Sequence, residues 1–186
     1  MSLLTYWTTL IAGGQLLVVC LVLLGSLSYQ FLLGELPCPL CVLQRVAFLL
    51  ACVGPIGILR RSPAANRLMA DARDFACTIF ASLLGFAISV RQIFLHIVPP
   101  DAGYGPPVMG FHLYTWAAFV FLCLIGSSAA GLLRLQPDTQ PLPKLATRGL
   151  TSLILVIAVI IATATFAMEG FNFLLPDDPG SYQLFR

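Results

Sequence analysis

The sequence predicts an all-α integral membrane protein, a compact bundle of about five transmembrane helices, and three observations carry that reading. Of 186 residues, 59% are hydrophobic and 10% are Asp, Glu, Lys or Arg. The mean hydropathy is +0.92. Soluble domains carry roughly 45–50% apolar and about 25% charged residues; a surface with so few charges must face lipid rather than water. The apolar residues fall into runs long enough to cross a bilayer, and the basic residues gather between particular runs. This composition excludes a disordered chain, a coiled coil and an ordinary cytosolic enzyme. A net charge of +2 with scattered Arg forms no basic stripe, so no nucleic-acid partner is expected.

A span needs about 20 mostly apolar residues. That ruler predicts spans at roughly Leu10 to Leu33, Val42 to Leu59, Phe75 to Val98, Leu113 to Leu133 and Leu150 to Met168. The first run is too long for a cleavable signal, has no basic segment before it and ends without a clear A-x-A site, so it is expected to stay as a span. The second is the shortest and holds Gly54, Pro55 and Gly57 near its far end, which predicts a kink there. Gly13, Gly14, Gly85, Gly126, Ser127, Ala130 and Gly131 would let helices approach closely, about half of them incidentally. Loops this short cannot form a soluble domain, so residues 1–186 read as one helical membrane domain. The tail 169–186 mixes Phe, Leu and Tyr with Asp177, Asp178 and Pro179, and is expected on the outer membrane surface or against a partner.

Orientation follows the basic residues. Arg60, Arg61, Arg67 and Arg73 lie between spans two and three, and Arg134, Lys144 and Arg148 between spans four and five, which is seven of the ten Lys and Arg. That side is expected to be cytoplasmic, with the N-terminus inside. The joint before span two, the Pro99 to His112 loop and the C-terminus then face outward. Tyr6 and Trp7 at one end, with Tyr29, Tyr114 and Trp116 at the other, fit interfacial aromatic belts.

Six cysteines occur, and Cys20, Cys52, Cys77 and Cys123 sit in apolar runs, where a free thiol behaves as a small hydrophobe. Cys38 and Cys41 lie between runs in Glu35-Leu36-Pro37-Cys38-Pro39-Leu40-Cys41-Val42-Leu43-Gln44-Arg45. Two cysteines two residues apart can close a small disulfide whose potential responds to local electrostatics. Cys41 begins span two, where the helix dipole favours a thiolate. Arg45, four residues on, falls on the same helical face about one turn deeper. A cation inside a span is a functional candidate by default, with snorkelling to the headgroups as the bland alternative.

Span three carries Arg91-Gln92-Ile93-Phe94-Leu95-His96 near its outer end. Arg91 is about two turns deep, and His96 could serve proton transfer because imidazole titrates near neutral pH. Alternatively Arg91 pairs with a carbonyl or Glu35, and His96 is an interfacial ring. A metal site from Cys38, Cys41, His96 and His112 is arithmetically possible, although the two His are far apart and Pro39 stiffens the cysteine loop.

The segment LPCPLCVLQR resembles the head of the second span in the disulfide bond formation protein B (DsbB) family. RQIFLH is similar to that family's Arg and downstream polar residue, and GYGPPVMGFHLYTW resembles a segment of one of its branches. The resemblance covers roughly the first 130 residues. It implies a DsbB-like four-helix core plus one extra C-terminal span, and a quinone-linked thiol oxidase of the bacterial inner membrane. Cys38 and Cys41 would be the redox pair, Arg45 the cation beside a ubiquinone or menaquinone ring, and Arg91 and His96 further quinone-side residues, with no metal. The electron donor would be a periplasmic DsbA-like thiol oxidase or another dithiol protein. Two features depart from the better-known members. A fifth span follows, and Pro99 to His112 lacks the second cysteine pair; Cys123 cannot replace it, being about 15 Å deep in span four.

Overall fold

A computed structural model describes residues 6–61, 67–98, 103–136, 141–172 and 179–185. Among these residues six α-helices follow in order: α1 (Trp7–Leu32), α2 (Pro39–Ala51), α3 (Val53–Arg60), α4 (Arg67–Leu95), α5 (Leu113–Leu133) and α6 (Lys144–Glu169). α2 and α3 together form one candidate span, so five helical segments are long and apolar enough to cross a membrane. These match the five expected runs. α4 begins earlier than Phe75, because its polar first turns are fixed by Arg67 Nε to Asp71 at 3.2 Å and Arg61 Nε to Asp71 at 3.1 Å, with Arg61 also paired to Asp74. It ends at Leu95 rather than Val98, consistent with the two prolines at 99 and 100, since a residue before proline avoids the helical region.

The break in span two lies at Cys52, on the N-terminal side of the Gly-Pro-x-Gly cluster. Pro55 has no N–H for the carbonyl of Ala51 and its ring crowds that group. The chain answers locally: Cys52 N–H donates to Leu49 O at 3.2 Å and Ile56 N–H to Cys52 O at 3.0 Å. Gly54 and Gly57 then let α3 lie directly on the Asp74 turn of α4, where a Cβ would collide with Asp74.

α4 packs along α5, α2 and α3, while α1 packs on α3, α5 and α6, so α6 flanks a four-segment core through α1. That core gathers Leu16, Leu23, Phe48, Ile58, Phe75 and Phe121, and α6 adds Ile157 to it. Phe48 and Phe121 stack at 3.9 Å between α2 and α5. Gly85 receives the Phe121 ring and Gly131 the Phe75 ring, so those two expected close approaches exist, whereas Gly14 and Gly126 face open space. Gln15 of α1 donates to Ser127 and Ser128 of α5, both at 2.8 Å. Cys20 and Cys52 are core residues, but Cys77 and Cys123 point to the outer surface of the bundle.

Of the expected tail, Asp177 and Asp178 lie outside the described residues, as do residues 99–102 between α4 and α5. Residues 179–185 fold back: Pro179 is buried and the Tyr182 hydroxyl meets Gln30 of α1 at 3.1 Å.

Candidate redox site

The CxxC is built by the start of α2. Pro39 suits the first helical position, where no N–H is needed. Cys38 is therefore the N-cap, with φ −68° and ψ 165°, and its Sγ accepts from Cys41 N–H at 3.3 Å. This turn brings the two sulfurs to 2.8 Å. Gln92, fully buried on α4, donates its amide to Cys38 Sγ at 3.3 Å and Cys41 Sγ at 3.4 Å. Gln44 Nε2 donates to Gln92 Oε1 at 2.9 Å, which fixes the direction of that amide. Cys38 lies before the span and is 6% exposed. Its thiol is held well above the ordinary range, first by the hydrogen bond to Cys41 and then by burial.

Arg45 sits one turn deeper and is 5% exposed. Its Nε donates to Ser26 Oγ at 2.7 Å, Nη2 to Ser26 O at 3.0 Å and Nη1 to Gln30 Oε1 at 2.6 Å. These partners use three of the five guanidinium N–H donors. Among the described residues no carboxylate pairs with it, so a buried positive charge stands uncompensated within electrostatic reach of Cys41 and Cys38. Snorkelling does not describe this residue.

Cys41 and Arg45 both line a cavity of about 320 Å³ walled by α1, α2, α5 and the loop between α4 and α5. Most of the wall is apolar, including Leu21, Val22, Phe48, Trp116 and Val120. The loop is pinned over the joint by Tyr104 Oη donating to Leu36 O at 2.5 Å, and to α5 by Trp116 Nε1 donating to Val108 O at 3.0 Å. A small number of polar groups in an apolar cleft is the ordinary form of a small-molecule site.

Arg91 and His96 do not join this constellation. Arg91 is exposed on the outside of α4 and lines no part of the cavity. The buried stripe of α4 runs Phe75, Thr78, Ser82, Gly85, Ser89, Gln92, and Arg91 lies about 100° off it. On α4 it is Gln92, not Arg91, that faces the two sulfurs. His96 lies behind the cavity wall, stacked on Tyr114 with ring centroids 5.7 Å apart. His112 stacks on the same Tyr114 at 5.2 Å and meets Gly105 O at 3.0 Å. Among the described residues, no three His, Cys, Asp or Glu come together as metal ligands.

Gln92, Gln44, Gln30 and Ser26 are contributors that residue type alone does not single out. The signal for two of them was present, since Gln92 and Gln30 each continue a buried stripe at helical spacing. An amide on a buried stripe must find a partner.

The model of the disulfide bond formation protein DsbB family matches residues 8–104. The chain belongs to the DsbB family. The DsbB match takes in α1, the CxxC, Arg45, Gln92 and the whole of α4, and stops before α5. The chain is similar to disulfide bond formation protein B of Chromohalobacter salexigens, 38% identical over 87 residues, 46% of this chain and 49% of the relative. It is also similar to disulfide bond formation protein B 1 of Pseudomonas fluorescens, 30% identical over 135 residues, 58% of this chain and 80% of the relative. With disulfide bond formation protein B 1 of Pseudomonas entomophila it shares 61% identity over 33 residues, 17% of this chain and 20% of the relative. The match thus spans about half the length of the Chromohalobacter DsbB. No solved structure matches the chain. It is a multi-pass membrane protein of a disulfide-forming family.

Proposed function

We propose that this protein is a protein-disulfide oxidoreductase that takes electrons from a dithiol protein at Cys38 and Cys41 and delivers them to membrane ubiquinone or menaquinone. The observation that carries the reading is the pair of sulfurs 2.8 Å apart, with Cys41 and the buried Arg45 on the wall of one apolar cavity. That cavity suits an apolar ring carrying carbonyl oxygens, because Arg45 keeps two N–H donors beyond its protein partners. A quinone held beside Arg45 would supply a two-electron, two-proton acceptor for the CxxC.

The chain's own residues do the rest. A thiolate of the donor protein attacks Cys38 Sγ of the Cys38–Cys41 disulfide; a mixed disulfide forms and Cys41 leaves as a thiolate. The N-terminus of α2, the Gln92 amide and Arg45 all favour negative charge on that sulfur. The donor's second thiol then displaces Cys38, so the donor leaves oxidised and the CxxC reduced. Reclosing the disulfide releases two electrons and two protons, matching a two-electron acceptor.

In this reading the whole chain is one helical domain in a bacterial inner membrane. The N-terminus is cytoplasmic, and the CxxC and C-terminus are periplasmic. With no cysteine in its second outer loop, the donor, a DsbA-like thiol oxidase or another dithiol protein, engages Cys38 directly. The test is to reduce the purified protein with dithiothreitol, remove excess reductant, add a short-chain ubiquinone or menaquinone analogue and follow quinone absorbance. Stoichiometric quinone reduction that vanishes in Cys41→Ser and falls sharply in Arg45→Ala is expected. An intact protein that reduces neither analogue overturns the reading.

A further inference from the structure

At the end of the bundle opposite the cysteines, a second cavity of about 550 Å³ opens between α3 and α6. Among the described residues its wall carries Arg60, Arg61, Lys144 and Arg148 and no acidic residue. Arg61 is engaged by Asp71 and Asp74, but among the described residues Arg60, Lys144 and Arg148 have no ion pair. Three further observations point to an anionic ligand. Thr147, 93% buried by its 7% relative exposure, lines the cavity with a hydroxyl that has no hydrogen-bond partner among the described residues. α6, 26 residues long, starts there behind Pro143 with no side-chain cap, so its first N–H groups and positive dipole end face the same region. Along α6, Arg148, Ser152, Leu155 and Val159 follow at helical spacing, so the wall passes from cation to hydroxyl to exposed apolar surface.

We propose that this cavity binds a phosphate group, that of an anionic phospholipid headgroup whose acyl chains run along Leu155 and Val159. Phosphate chemistry fits the unpaired cations, the free hydroxyl and the uncapped helix start. The apolar continuation down α6 favours the phosphodiester of a lipid over free phosphate. The inference does not rest on the redox reading.

The full chain, delipidated in a nonionic detergent, is titrated with phosphatidylglycerol, phosphatidylcholine or inorganic phosphate, and binding is read by native mass spectrometry and thermal shift. Phosphatidylglycerol is expected to bind on the order of tenfold more tightly than phosphatidylcholine. The double variant Lys144→Gln/Arg148→Gln should lose that preference while keeping its far-ultraviolet dichroism, and Thr147→Val should weaken it partially. If the double variant does not fold, Arg60→Gln supplies the charge test. Equal binding of the two lipids overturns the proposal, as does a preference that survives loss of the cations. A thermal shift produced by inorganic phosphate, with no lipid preference, overturns the lipid assignment in favour of a soluble phosphate.

Discussion

Arg45 Nη1 donates to Gln30 Oε1 at 2.6 Å, and the same Gln30 amide reaches Tyr182 of the tail at 3.1 Å and Met168 Sδ at 3.5 Å. The only cation on the cavity wall among the described residues is thus held by α1, which is itself buttressed by the last helix and the tail. This gives the additional span a physical connection to the site. Gln30→Leu leaves a buried guanidinium short of an acceptor, a loss worth about 1–3 kcal/mol. Quinone reduction should fall roughly tenfold or more, in keeping with that energy. Thiol–disulfide exchange with a dithiol peptide should change little, because Gln30 touches neither sulfur. Tyr182→Phe should produce a smaller loss in the same assay. Equal loss in both half-reactions would mean that Gln30 acts through general stability alone.

Gln92 donates to both sulfurs, so it favours whichever state carries more negative charge on them, the reduced one. Removing it in Gln92→Leu destabilises the dithiol relative to the disulfide. A neutral hydrogen bond of about 1 kcal/mol then corresponds to a potential roughly 20 mV more negative for a two-electron couple. Equilibration with a glutathione buffer measures it. Arg91→Gln is the paired control and should leave both the potential and quinone reduction within about twofold of wild type. A large effect of Arg91→Gln would return that residue to the site.

How far the sequence reached is visible in these two neighbours. Hydropathy runs and basic joints were enough for five spans, because lipid forces every span to be long, apolar and helical. Cys38, Cys41 and Arg45 were legible too, since a CxxC at a helix start and a charge within a span are rare. Arg91 stands out in the sequence for its charge, whereas the packed bundle turns Gln92 inward through its angle on α4. Facing is a property of the packed bundle: Gly85 and Gly131 admit Phe121 and Phe75, and that fit fixes which stripe of α4 turns inward. Ser26 and Gln30 were unreadable as Arg45 partners for the same reason, being acceptors only once α1 lies beside α2.

The Cys38 thiol is held above the ordinary range by its hydrogen bond to Cys41 and by burial, which gives the reduced protein a definite pH response. The folded state keeps this thiol protonated where the unfolded chain, with a pKa of about 8.5, has lost its proton. Its contribution is fully present below about pH 8.5 and is lost as pH rises further. Thermal denaturation of the reduced protein should therefore show a midpoint falling from pH 8 to pH 10, more steeply than in Cys38→Ser. Equal slopes in the two proteins would remove Cys38 as the cause.

Cys38 is 6% exposed, yet in the proposed reaction it is the sulfur that a donor thiolate must strike. Access therefore requires local opening of the joint. The Tyr104 hydroxyl closes onto the carbonyl of Leu36, two residues before Cys38, and so ties the loop between α4 and α5 to that joint. Tyr104→Phe deletes the tie and keeps the ring. Local opening becomes cheaper by about 1 kcal/mol, the ordinary worth of one such hydrogen bond. Oxidation of a dithiol peptide should accelerate about fivefold while the reduction potential of the CxxC stays unchanged, since neither sulfur contacts Tyr104. A slower reaction would mean that the closed loop instead forms part of the surface on which the donor docks.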